Sequence, residues 1–205
     1  MLVGAALLAF VLAVQVGPVT LLMVRSTLRG SAAIGVAMAV GVSLVDVLYA
    51  TLGLAGLSQF ARSSVVQLGL GAFGAASLAV IGARTLWLGL RARVGAENEN
   101  EVDAVGRAFG TAVAATALNP LTMLLWIVSF PAALSSQFDE SLRDDLLVLG
   151  GSAAGTLGWY CSLAVGVALA GRWIGPRLLR CTDMAVGAGL LAFGGVLGYR
   201  VAEDA

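Results

Sequence analysis

The sequence predicts an all-α, polytopic membrane protein whose six transmembrane helices form two inverted three-helix repeats. Three observations predict it. The 205-residue chain is 59% hydrophobic and 12% charged, with a mean hydropathy of +0.94, far from the balance of a soluble domain of this size. Windows of about 19 residues mark six apolar runs, at roughly 2–24, 32–57, 65–90, 108–134, 146–171 and 184–202, each long enough to cross a bilayer as a helix. Finally, two patterns recur in the two halves. Gly17-Pro18-Val19-Thr20 returns as Asn119-Pro120-Leu121-Thr122. Gly71-Ala72, nine residues, then Gly82-Ala83-Arg84 returns as Gly187-Ala188, nine residues, then Gly198-Tyr199-Arg200. Membrane strands are disfavoured because the runs are continuously apolar, whereas a barrel alternates polar and apolar residues in pieces of about ten. The expected organisation is a first repeat over 1–90, a polar linker over 91–107 and a second repeat over 108–205.

The first run lacks a basic start, and it continues into Gly17-Pro18 where a secretory signal would have a small-residue cleavage site. It reads as a retained helix. Proline inside an apolar run removes a backbone donor and clashes with the preceding turn, freeing carbonyls that hydrocarbon cannot satisfy. Pro18, following Gly17, and Pro120, following Asn119, therefore mark broken helices. The half-helix restarting at each proline presents unpaired N–H groups and a partial positive end, which suit a carboxylate. Thr20 and Thr122 supply hydroxyls at equivalent places, and Asn119 adds an amide. Either proline alone reads as an ordinary kink; recurrence in both halves points to a site.

The second run carries Asp46, the only carboxylate deep within a run, near its midpoint. A charge there costs about 2.5–3.5 kcal/mol on insertion scales. Ser43 and Tyr49 lie three residues to either side, so helical spacing puts a hydroxyl above and below the carboxylate on one face. Such a face lines a wet cavity, in which Asp46 binds a substrate ammonium, carries a coupling proton, or alternates between the two. The competing reading is an aspartate that ties helices together.

The third run holds the first copy of the Gly-Ala pattern, and the linker, with Glu97-Asn98-Glu99-Asn100-Glu101, reads as solvated. In the fourth run Trp126 follows Pro120 by six residues, as a site wall or a packed aromatic. The fifth run has Ser152, Thr156, Trp159 and Tyr160 on one stripe, which either faces the cavity or belongs to a packing seam made by Gly151 and Gly155. Gly194 and Gly198 in the sixth run make another seam, and either seam suits a homodimer. Cys161 and Cys181 match no metal or redox spacing and read as packing residues.

With the N-terminus outside, Arg25, Arg29, Arg84, Arg91, Arg93, Arg107, Arg172, Arg177 and Arg180 fall inside and only Arg62, Arg143 and Arg200 outside, so both termini are expected outside. Arg25 and Arg29 are expected to anchor the first helix at the headgroups. Zero net charge without a basic cluster argues against a nucleic-acid partner. The chain has no histidine, which excludes histidine-based catalysis, leaves no nucleophile–base pair and argues against an enzyme, a cofactor or a metal centre.

Gly17-Pro18-Val19-Thr20-Leu21-Leu22, then Arg25-Ser26-Thr27-Leu28-Arg29-Gly30, Gly35-Val36, Asp46-Val47-Leu48-Tyr49 and finally Asn119-Pro120 resemble the lysine-exporter (LysE/RhtB) family of amino-acid exporters. The resemblance covers nearly the whole chain. It implies a six-helix protein of the bacterial inner membrane that exports amino acids or close relatives on the proton gradient, with the aspartate and both proline motifs near its centre. Two departures stand out: Val16 where many members have proline, and Val45 where many have a small residue before the aspartate. The bulkier Val45 narrows the cavity, so no particular substrate carries over. A cation or metal exporter of the same general architecture is the alternative, although one aspartate is few ligands for it. A thiol–disulfide carrier would need a cysteine beside each proline, which Cys161 and Cys181 do not provide.

Overall fold

The computed structural model describes residues 1–14, 17–57, 64–91, 101–134 and 142–203. Val16, Arg62, Arg93 and the 97–100 part of the linker lie outside the described residues, as do the side chains of Arg84, Arg91, Arg177, Arg180 and Arg200. Among the described residues all regular structure is helical: α1 (Leu2–Ala13), α2 (Pro18–Arg29), α3 (Ala32–Leu54), α4 (Ser64–Arg91), α5 (Glu101–Ala117), α6 (Pro120–Leu134), α7 (Leu142–Gly171) and α8 (Pro176–Glu203). Within α6 the residues Leu125–Ser129 form a π-helical turn. Helix begins already at Glu101, so the last part of the expected linker belongs to α5.

Two of the six apolar runs are bent pairs. The helices α1 and α2 meet at 80°, and α5 and α6 at 66°. Proline opens the second helix of each pair at its first position, where its absent N–H would have no helical partner in any case and its fixed φ already suits a helix. The clash that a mid-run proline brings is thus relieved by a complete break. By length and composition α3 and α7 can cross a membrane, and four elements can if each bent pair is one span; α4 and α8 contain the shorter apolar stretches Gly74–Ala83 and Met184–Val196.

The two halves pack reciprocally. From the first half α1 lies on α7, and from the second half α5 lies on α3. At the centre α3 meets α7, and α4 pairs with α8. Glycines set these approaches, as expected where helices gain nothing from a hydrophobic effect and depend on close backbone contact. A methyl group on Gly151 would stand 2.5 Å from the Leu2 carbonyl oxygen, and one on Gly155 would meet the Ala6 carbonyl and stand 2.9 Å from the Ala9 Cβ. Reciprocally, a methyl group on Gly41 of α3 would stand 2.9 Å from the Phe109 carbonyl of α5. Gly187 faces Leu86, and Gly194 faces Ala75 and Leu78. Both seams expected from the sequence are therefore used inside the chain.

These contacts also fix helix directions. Leu2 and Ala6 face Gly151 and Gly155 in order, so α1 and α7 are parallel; Gly41 faces Phe109 and Tyr49 reaches Ala117, so α3 and α5 are parallel. The order reverses between α4 and α8, which are antiparallel.

The helix α3 has two distinct faces. Val36, Val40, Leu44 and Leu48 recur every fourth residue and are exposed, whereas Met38, Ala39, Val42, Ser43, Val45, Asp46 and Ala50 are buried. The exposed stripe is apolar and suits lipid, and it leaves the acid facing inward.

Candidate functional site

Asp46 is 1% exposed and its Oδ1 has no hydrogen-bond partner. Ser43, one turn earlier on the same face, is also buried, and its hydroxyl is unpartnered as well. The contrast with other helical hydroxyls is informative. Thr51, Thr111, Thr116, Thr156 and Ser162 each donate to the carbonyl four residues earlier, and Ser152 to the one three residues earlier, the usual way a helical hydroxyl satisfies itself in an apolar setting. Ser43 does not. Two adjacent buried polar groups left unbonded are rare enough in folded proteins to require a partner from outside the helix, such as water or a ligand.

Two tyrosines stand around this acid. Tyr49 donates its hydroxyl to the Ala117 carbonyl at 2.6 Å, tying the acid-bearing turn of α3 to the end of α5. Ala117 ends α5, so its carbonyl lacks a helical partner, and Tyr49 supplies one. Tyr160 of α7 is buried and close enough to Asp46 for the two to interact electrostatically. It belonged to a polar stripe in the sequence, yet nothing in the linear order paired it with Asp46.

The two helix breaks meet. Pro18, opening α2, and Asn119, preceding Pro120, line one small pocket, with room for about one water, together with Gly74, Leu78 and Ile81 of α4 and Ala115 and Leu118 of α5. Pro120 and Thr20 are buried, Thr122 is half-buried and Gly17 caps α2 in extended conformation with no side-chain bond. Neither threonine is among the pocket's lining residues. The participation of α4 carried no signal in the sequence, because its lining residues are small or aliphatic.

Asn119 caps its own helix, its side-chain oxygen accepting from the Leu121 N–H at 3.1 Å at the start of α6. That oxygen is therefore committed locally, whereas Gly17 gives α2 no such cap. Asn119→Ala should destabilise the protein by about 1 kcal/mol. Thermal unfolding in detergent checks this, with Asn119→Asp expected to keep most of the loss from appearing.

The remaining candidates sort out by packing. Ser152 and Thr156 are buried but bond back into α7, while the neighbouring glycines hold α1. Trp159 packs edge-on against Phe10, with ring centroids 5.5 Å apart, and its indole N–H is buried without a partner. Trp126 is 2% exposed in the π-helical turn and packs on Phe130 at 5.0 Å, as a core aromatic. Cys161 packs against the central core, but Cys181 is exposed, so a packing role does not extend to it. Val45 is 4% exposed beside the acid. Away from this centre, Thr27 fills the space over Gly35 at the α2–α3 turn, and its buried hydroxyl is also unpartnered.

A family model described as LysE type translocator matches residues 10–201, which include both breaks, the acid and the pocket. No curated protein and no solved structure matches the chain.

Proposed function

The chain belongs to the LysE type translocators and is a membrane transporter, and from that premise we propose that it exports amino acids or closely related small metabolites across the cell membrane, by alternating access coupled to the proton gradient. The observation that carries the reading is the meeting of the two proline breaks in one pocket, next to the helix that bears a buried carboxylate whose Oδ1 has no partner. Broken helices whose ends converge mark transport sites, because irregular backbone is tolerated at membrane depth only where it lines a cavity.

In this reading the six apolar runs are six spans, arranged as two inverted three-helix repeats with both termini outside. The helix directions support it: α1 and α7, first and fifth, run parallel; α3 and α5, second and fourth, run parallel; α4 and α8, third and sixth, run antiparallel. Each relation is what alternation of six spans requires. The reciprocal exchange of α1 and α5 between halves supports the repeats, since it pairs like elements by a two-fold relation.

The substrate carboxylate is held near the restarting ends of α2 and α6, with the hydroxyls of Thr20 and Thr122 close by, and its ammonium goes to Asp46, flanked by Ser43 and Tyr49. Proton binding at Asp46 from outside then releases the ammonium, and the two repeats rock about the site. A cation as cargo is the second reading; among the described residues no three of Asp, Glu and Cys come together, so the ligand set favours an amino acid.

Proteoliposomes holding the purified protein should exchange at least one labelled amino acid by counterflow, and an imposed pH gradient should drive net movement of the same compound. Failure of every amino acid with folded protein would sink the reading, and labelled divalent cations would be the next cargo to assay.

A further inference from the structure

We infer that the end of the bundle where α2 and α7 close and α3 opens holds the phosphodiester headgroup of one anionic phospholipid, whose acyl chains lie along α7. The inference goes beyond transport and needs only that the chain sits in a membrane.

Glycine contacts bring these three helix ends together. A methyl group on Gly171, the last residue of α7, would stand 3.2 Å from the Leu28 Cδ2 of α2. One on Gly35, closing the first turn of α3, would meet Thr27 of α2 and stand 2.8 Å from the Ala164 Cβ of α7. Arg29 follows Leu28 and Arg172 follows Gly171, and both are exposed, so guanidinium groups from two helices share one rim. The segments 25–31 and 172–180 hold five arginines and no carboxylate. Glu101 and Asp103, at the same end of the bundle, open α5, which approaches α3 through Gly41. Six residues separate Gly41 from Gly35, which puts that approach about 120° round α3 from the side that meets α7.

The junction offers donors without acceptors. Helix geometry leaves the N–H groups of Ala32, Ala33 and Ile34 with no helical acceptor, and no side chain caps α3. The Ser31 hydroxyl is buried without a partner, as is that of Thr27, which is 3% exposed against the same turn. An anion is the group that such a set lacks: a phosphate accepts from amides, hydroxyls and guanidinium groups together.

The surroundings select a lipid over a free phosphate. Val165, Leu169 and Trp173 recur every fourth residue and are exposed, and Trp173, beside Arg172, is 90% exposed. A tryptophan at headgroup depth above an aliphatic stripe suits chains that lie in hydrocarbon while their phosphate meets arginine. A zwitterionic headgroup would return a cation to this basic rim, so the net negative lipid is preferred.

Native mass spectrometry of the full chain in detergent tests this by titration with dioleoyl phosphatidylglycerol, dioleoyl phosphatidylcholine and sn-glycerol 3-phosphate. Wild type should retain one phosphatidylglycerol about tenfold more tightly than phosphatidylcholine, and no glycerol phosphate at the same concentrations. Arg29→Gln and Arg172→Gln should each weaken phosphatidylglycerol about fivefold and together roughly twentyfold or more. Ser31→Ala should also cost about fivefold. Arg107→Gln on α5 and Arg143→Gln at the opposite end should leave affinity within about twofold. The rise in unfolding midpoint that phosphatidylglycerol gives wild type should vanish in the double variant. Arg172→Gln alone, exposed and past the end of α7, remains informative where the double variant does not fold. Glycerol phosphate held as tightly as lipid would overturn the proposal in favour of a soluble anion. Equal losses in Arg107→Gln or Arg143→Gln would reduce it to general attraction by basic residues. Midpoints lowered equally with and without lipid would leave Arg29 and Arg172 only neutralising helix ends. None of these readouts involves transport, so the result is independent of the export reading.

Discussion

Asp46→Asn is expected to abolish transport without lowering thermal stability. The amide has nearly the shape of the carboxylate but can neither hold an ammonium by charge nor carry a proton. Removing one partner of a buried, hydrogen-bonded charge pair costs about 2–5 kcal/mol, or roughly thirtyfold and more in apparent affinity. In the unloaded protein no such loss arises, because Asp46 Oδ1 has no partner to lose. An ionised side chain at that depth costs about 2.5–3.5 kcal/mol, and the amide relieves part of it. The unfolding midpoint in detergent should therefore stay level or rise while flux disappears, as is common where a group is retained for function at the expense of stability. Comparing two assays separates the roles of Asp46. Loss of both counterflow and pH-driven transport assigns it to the cargo; loss of pH-driven transport alone assigns it to the proton. A variant that transports normally, or one that loses its fold together with its activity, would make Asp46 a structural residue.

Gly155→Leu should prevent the protein from accumulating in a folded, monodisperse form. A side chain there meets the Ala6 carbonyl and the Phe10 amide nitrogen, which belong to the backbone of α1 and cannot rotate away. Overpacking a core typically costs 1–3 kcal/mol, about the penalty expected for Gly155→Ala, and the three further heavy atoms of leucine push α1 off α7 altogether. No side-chain change on α1 can compensate, since the clash is with main chain. Gly158→Ala on the same helix is the control: nothing lies within 4 Å of a methyl group there, so it should gain roughly 0.5–1 kcal/mol from better helix propensity. Equal size-exclusion profiles for Gly155→Leu and wild type would contradict the α1–α7 contact.

The sequence made the broken helices legible because Gly-Pro and Asn-Pro interrupt runs that are otherwise uniformly apolar, and local chemistry alone dictates what proline does there. Asp46 was legible for the same reason, as a lone charge in a hydrocarbon-length segment. What stayed hidden was non-local. Gly151, Gly155, Ser152 and Thr156 could be read as a seam or as a cavity wall, and only the position of α1 decides that the glycines are the seam while the hydroxyls bond back into α7. Tyr160 approaches Asp46 across more than a hundred residues of sequence, and the aliphatic side chains of α4 that complete the pocket resemble any others in an apolar helix. The π-helical turn at Leu125–Ser129 likewise has no composition of its own.

The exchange of α1 and α5 between halves also bears on how the protein is made. Emerging first, α1 lacks the helix it packs on most closely, because the surface that receives Ala5 and Ala9, Gly151 and Gly155, is synthesised last but one among the long helices. At about 5–20 residues per second, translation leaves α1 waiting on the order of ten seconds for its partner. Through that interval it must be sheltered by lipid or by the insertion machinery, and neither half acquires its native core until α7 has entered. Ribosome-bound chains halted before and after α7 should accordingly differ in the protease protection of α1, which makes the last third of the chain the step that commits the first helix to its place.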